Sequence, residues 1–196
     1  ASVVLASRRE AELKVAVAEL GTQADYRVHD VTDTDATEPL IESIEQQHGA
    51  VSILINNAGL HLKKPAVEIT DEEFLQVLNV HVLGAFALSR QVGKRMLEKN
   101  HGSVIFIASM ASLIGIPLVS AYATAKSAQL GIVKTLAAEW SPQGIRVNAI
   151  APGFIDTQMM RKAVDSDPQR KEKILSRTLL PGFGSIEDIG WAAVYL

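Results

Sequence analysis

Tyr122 and Lys126 stand four residues apart in Ser120–Trp140, a stretch that reads as a helix ending before Pro142. Four residues are one helical turn, about 6 Å along the axis at ~1.5 Å per residue, so a phenol and an ammonium leave the same face. That pairing has a chemical use. A free tyrosine, with a pKa of about 10, is a poor base near neutrality. An adjacent ammonium stabilises the phenolate and lowers that value, so the pair can exchange a proton with a carbonyl or alcohol oxygen. Taken alone, the spacing fits equally well a Tyr packed on a sheet beside a solvated Lys. Three further features flank the pair in order: Asn56-Asn57-Ala58-Gly59, Ser109 and Pro152-Gly153, each after a short apolar run.

The elements that must position these residues alternate along the chain. Short apolar runs at Ser2–Ser7, Tyr26–Asp30, Ser52–Asn56, Ser103–Ser109 and Arg146–Ile150 read as strands. Between them, Glu10–Leu20, Asp35–His48, Asp71–Glu98 and Ser120–Trp140 read as helices, the third with a Thr70 cap and Glu73 three residues on. The tail 168–196 reads as helical, interrupted around Pro181–Gly184. Strands this continuously apolar, alternating with helices, predict a parallel sheet covered on both faces. At 196 residues this is one α/β domain with a sizeable core.

A net charge of −3 gives no footprint for nucleic acid and no basic block for an anionic membrane surface. The chain has no cysteine, which removes disulfides, thiolate nucleophiles and Cys-based metal sites. Its five histidines show no metal-ligand spacing, so no metal is expected. Val51–Ile55 and Val104–Ala108 are far shorter than a bilayer span, and no secretory segment stands out. A cytoplasmic protein is the expectation.

The four motifs in this order, with Tyr122 thirteen residues beyond Ser109, resemble the short-chain dehydrogenase/reductase family over essentially the whole chain. The resemblance implies a Rossmann-type doubly wound parallel sheet forming a single domain over 1–196. It implies NAD(P)(H)-dependent hydride transfer between nicotinamide and the carbonyl or secondary alcohol of a small molecule. Tyr122 would be the acid or base, Lys126 would support it and bond the nicotinamide ribose, and Ser109 would hold the substrate oxygen. One position departs from the pattern: His81 occupies the place of the family's catalytic Asn, which holds a water linking the Lys to solvent. Asn79, two residues earlier, is turned by about 200° and cannot substitute. An imidazole titrating near 6.5 can carry protons, so a working variant with altered pH dependence is expected at His81. A weakened or retired member serving as a binding or regulatory subunit is the alternative.

The resemblance makes Ser2–Ser7 the second strand of the sheet. An acid at its end would bond a ribose 2′-hydroxyl, whereas an Arg accommodates a 2′-phosphate. Here Ser7 and Arg8 occupy that place, favouring NADP(H) with NAD(H) as the alternative. Asp30 and Val31 would lie along the adenine. Asn57, Ala58 and Gly59 would line the ribose side, and Pro152, Gly153, Ile155 and Thr157 the nicotinamide end. The phosphate-cradling Gly-rich turn and first strand are expected before Ala1, and the last strand after Leu196. The chain thus reads as this fold with both ends missing, leaving two unpaired edges near the middle of the sheet. Ala111–Val119 and Met159–Gly184 would form the substrate pocket without a charge clamp. The run Arg177-Thr-Leu-Leu-Pro-Gly-Phe-Gly leans toward sugar-acid dehydrogenases among relatives that also include 3-oxoacyl-carrier-protein reductases. A homodimer or homotetramer built on the Asp71–Glu98 and Tyr122 helices is also implied.

Overall fold

The computed structural model describes residues 2–157, 160, 161, 172, 174–176, 178 and 182–196. Its order is β1 (Val3–Ser7), α1 (Glu10–Leu20), β2 (Ala24–Val28), α2 (Thr37–His48) and β3 (Ile53–Asn56). Then come α3 (Asp71–Leu78), a π turn (Asn79–Gly84), α4 (Ala85–Lys99), β4 (Gly102–Ile107), α5 (Ser120–Trp140), β5 (Ile145–Ile150) and α6 (Ile186–Tyr195). Every strand pairing is parallel, which demands a crossover helix between partners. This is the α/β architecture the alternation predicts.

β4 shows why its sequence is continuously apolar. Val104, Ile105 and Phe106 are wholly buried because helices cover both faces of the strand. Val92 and Met96 of α4, Leu136 and Trp140 of α5, Ile145 and Val147 of β5 and Ile41 of α2 complete this core.

The strands divide into a β1-β2 pair and a β3-β4-β5 sheet. Among the described residues, β1 and β3 each pair on one side only, the open edges that the sequence reading expects. Val3, Ile53 and Ile55 stay about half exposed on these strands, unlike the apolar side chains of β4.

Two boundaries differ from expectation in ways that matter for the site. The single helix expected over Asp71–Glu98 is three pieces, with the π turn between α3 and α4. Its start is as expected, since Thr70 and Glu73 form a reciprocal capping box. The π segment contains Val80, Val82 and Gly84, weak helix formers. Gly84 is also pressed against the Val31 carbonyl, where a β-carbon would clash. β2 and β4 end early, at Val28 and Ile107. Asp30 therefore lies in a loop, where its carboxylate accepts from the Thr32 N–H and hydroxyl and turns the chain.

At the C-terminal side, α6 begins with a second capping box between Ser185 and Asp188. Residues 172, 174 and 175 are helical, whereas Gly182–Gly184 is not, as the expected interruption requires. Met159, Arg177 and 179–181, part of the expected substrate segment, lie outside the described residues. No helix among the described residues is long and apolar enough to cross a membrane.

Candidate active site

Parallel strands deliver their C-terminal ends to one edge, and each predicted site segment follows such an end. Ser7 closes β1, Asp30 and Val31 follow β2, and Asn57–Gly59 follows β3; Ser109 and Pro152-Gly153 follow β4 and β5. Backbone bonds join these loops: Ala108 N–H donates to Ile150 O at 2.7 Å and Met110 N–H to Pro152 O at 2.9 Å. The Val31 contact with Gly84 ties the β2 loop to the π turn.

Ser109, Tyr122 and Lys126 meet here. Ser109 lies past the end of β4 in extended backbone, and its hydroxyl accepts from Ala111 N–H at 3.1 Å, capping a short 3₁₀ turn. With that lone pair engaged, its proton is left to donate. Burial pushes the Tyr122 phenol above its ordinary value, and a hydrogen bond with Ser109 pulls it back. Lys126 is buried at 4% exposure, with Nζ 5.7 Å from the Tyr122 ring centroid. Nζ donates to Ile107 O and to Gln129 Oε1, the latter at 3.2 Å. Burial draws this ammonium down to about 8, so it is largely cationic at neutral pH. Tyr122 is thus raised on balance rather than lowered as expected, because burial outweighs the bond with Ser109; two of the Lys126 protons are spent on Ile107 and Gln129.

His81 sits in the π turn at 1% exposure, its ring 5.4 Å from that of Tyr122 in an edge-on arrangement. Its Nε2 lies 2.8 Å from Leu60 O and 3.1 Å from Leu60 N, and either bond fixes one tautomer. Nδ1 is buried without a partner. Burial, with the Lys126 charge added, holds this imidazole down to about 4. Burial thus places the imidazole below the 6.5 expected of a relay, leaving it neutral at physiological pH and bonded to the backbone of Leu60. What His81 offers the Lys126 side is its backbone carbonyl, 2.8 Å from Gln129 Nε2.

Two neighbours escaped the sequence reading. Gln129 bonds both Lys126 and the His81 carbonyl; its place three residues after Lys126 was the available signal. His61, two residues after Gly59, lies with its ring tilted 5.2 Å from that of Tyr122 on the exposed side, and nothing in its spacing announces that contact.

The cofactor segments are open. Asn57, Ala58, Gly59 and Gly153 are exposed, and Pro152, Ile155 and Thr157 are half-buried. Arg8 is two-thirds exposed, with its guanidinium 3.7 Å from the Asp30 carboxylate. Ser7 Oγ accepts from Arg9 N–H at 3.3 Å, leaving its proton to donate. Thr157 is engaged locally, its hydroxyl accepting from Met160 N–H at 3.1 Å. Ile155 forms a bridge with Gly184, fixing the loop after β5.

Two parallel sheets with a phenol, an ammonium and a hydroxyl near their C-terminal strand ends match the α/β architecture in which ligands bind beyond those ends. A family model described as enoyl-(acyl carrier protein) reductase matches residues 1–196. The chain is 42% identical over 146 residues to 2-dehydro-3-deoxy-D-gluconate 5-dehydrogenase of Bacillus subtilis (strain 168), covering 74% of this chain and 57% of that protein. It is 36% identical over 200 residues to a protein of Xanthobacter autotrophicus named inactive 2-(S)-hydroxypropyl-CoM dehydrogenase 2, covering 100% and 86%. The solved structure of a gluconate 5-dehydrogenase from Burkholderia cenocepacia J2315 in complex with NADP and tartrate superposes with a TM-score of 0.92 at 29% identity, covering 100% of this chain and 78% of that one. The chain belongs to the short-chain dehydrogenase/reductase family. It spans little more than half the length of the Bacillus subtilis relative.

Proposed function

We propose that the protein is an NADP(H)-preferring oxidoreductase that moves hydride between nicotinamide and the ketone or secondary alcohol of a small polyhydroxy acid. The observation that carries this reading is the meeting of Ser109, Tyr122 and Lys126 at the strand ends. In the reductive direction, Tyr122 is protonated at neutral pH, since burial raises its pKa, and its proton goes to the carbonyl oxygen. The Ser109 proton, free of the Ala111 contact, bonds the same oxygen and favours the charge developing there. Lys126 keeps a positive charge beside the phenol, stabilising the phenolate left behind. When bound, the nicotinamide supplies or accepts the hydride.

The residues present fit such a cofactor. Among the described residues Arg8 meets a long contact with Asp30 and stays exposed, so its fork can turn to a 2′-phosphate with the Ser7 proton beside it. Asn57–Gly59 presents exposed backbone for a ribose, while Ile155 and Thr157 lie in the fixed loop after β5. The sugar-acid relatives and the NADP in the Burkholderia structure support this choice of substrate class and cofactor. The same reading assigns an additional parallel strand to the space beside β1 and β3, supported by the exposed Val3, Ile53 and Ile55, and a homo-oligomer paired through α4 and α5.

The test is oxidation of NADPH and NADH against a panel of keto-aldonic acids, ketoses and 3-oxoesters. NADPH-dependent reduction within the panel, strongest for keto-acids, is the expected result. Binding of NADPH with no turnover of any ketone would instead favour a binding subunit.

A further inference from the structure

Gln129 lies three residues beyond Lys126 on α5, so the two side chains leave the helix on neighbouring sides. It is 1% exposed, and a polar side chain at that depth must make its hydrogen bonds inside the protein. Its two neighbours set strict terms. Lys126 can only donate, and the His81 carbonyl can only accept. A neutral side chain between them needs an acceptor at one end and a donor at the other, which a carboxamide has. Gln129 Oε1 accepts from Lys126 Nζ at 3.2 Å, and Gln129 Nε2 donates to His81 O at 2.8 Å. This orientation of the amide alone satisfies both partners. The anchoring carbonyl belongs to the π turn, a helix distortion that recurs at functional sites.

We infer that Gln129 is a positioning residue for the proposed reaction, fixing Lys126 Nζ between the Ile107 carbonyl and the π turn so that one N–H remains for the Tyr122 side of the cleft. The inference rests on the reading of Lys126 as the charge that supports Tyr122. The amide oxygen also stabilises the ammonium form of a lysine whose surroundings otherwise disfavour it. The titratable groups facing Lys126 are Tyr122 from α5 and His81 from the π turn, with His61 from the loop after β3 next to both. His81 is neutral there, so it adds no second positive charge beside the ammonium.

The experiment is the pH profile of NADPH-dependent reduction of 5-keto-D-gluconate, or of the 3-oxoester of the panel where that acid is not turned over. Gln129→Met removes both polar ends. It should lower kcat about tenfold, leave KM for the ketone within about twofold, and move the alkaline limb of kcat to lower pH, because the ammonium loses an acceptor. Gln129→Glu keeps an acceptor for Lys126, adds a carboxylate and gives up the donor to His81. It should move the same limb to higher pH. A side chain that only satisfies the His81 carbonyl would lower Tm in both variants and leave the limb where it was, and that result overturns the assignment. Should the Met variant fail to fold, the direction of the Glu shift decides alone. Tyr122→Phe assayed alongside separates the two levels: retained turnover sinks the oxidoreductase reading, whereas lost turnover with unmoved Gln129 profiles sinks only the role of Gln129.

Discussion

A β-carbon on Gly59 would lie 2.5 Å from His81 Cε1, closer than packed atoms tolerate. The loop after β3 and the π turn are thus shaped against each other, with Leu60 bonded to the same imidazole. Gly59→Ala should destabilise the protein by about 1–3 kcal/mol through overpacking. Shortening the neighbour should relieve it: Gly59→Ala combined with His81→Ala should cost about 1 kcal/mol less than the two single changes summed. Urea denaturation of the four proteins measures this; strict additivity would mean the contact is absent.

His81 also makes stability depend on pH. Its folded pKa of about 4 lies below the ordinary imidazole value, so the unfolded chain binds the proton more readily between those limits. Stability therefore falls as pH drops from about 6.5 toward 4, by up to about 3 kcal/mol from this group. Buried His29, also held below its ordinary value, acts in the same direction. His81→Asn should flatten the slope of unfolding free energy in this window. Above pH 6 the same change should leave the shape of the activity profile unaltered, because the imidazole is already neutral there.

Tyr122→Phe removes the proton donor and keeps the ring that packs against His61 and His81. Turnover should fall about 10²- to 10⁴-fold with NADPH affinity within a few-fold. Stopped-flow NADPH binding beside steady-state assays checks both halves.

Arg8 offers a test of cofactor choice. Its guanidinium is two-thirds exposed, so Arg8→Ala should leave the fold intact. NADPH affinity should weaken about tenfold or more while NADH affinity holds, since only the former carries a phosphate for the fork. Equal loss of both would move the phosphate contact elsewhere.

The open edges of β1 and β3 carry a prediction for the 196-residue polypeptide itself. Unpaired strand edges with exposed Val3, Ile53 and Ile55 should give a broad thermal transition. Circular dichroism decides it; a sharp cooperative transition would show that the open edges are tolerated.

Much of this was legible in the chain order of residues. Alternation of apolar runs with helical segments carries the parallel α/β design, because a strand buried on both faces must be apolar throughout, as β4 is. Ser109, Tyr122, Lys126 and the Asn57–Gly59 loop were each weak signals by type and spacing, and became candidates through the family resemblance that their order carries. The break in Asp71–Glu98 was not. A π turn is one extra residue in a ladder, and the local pattern of Asn79–Gly84 stays compatible with a continuous helix.

The sequence by itself determined which chemical groups are present and which of them share a strand end or helix turn, because those relationships span a few residues and follow fixed periodicities. Only the tertiary structure decided how the groups behave. Segments far apart in sequence seal His81 against Leu60 and Gly59, which makes it neutral, and turn the Lys126 ammonium toward Ile107 and Gln129. Charge state and hydrogen-bond partnership depend on burial and on neighbours brought in from afar, and no local spacing encodes them.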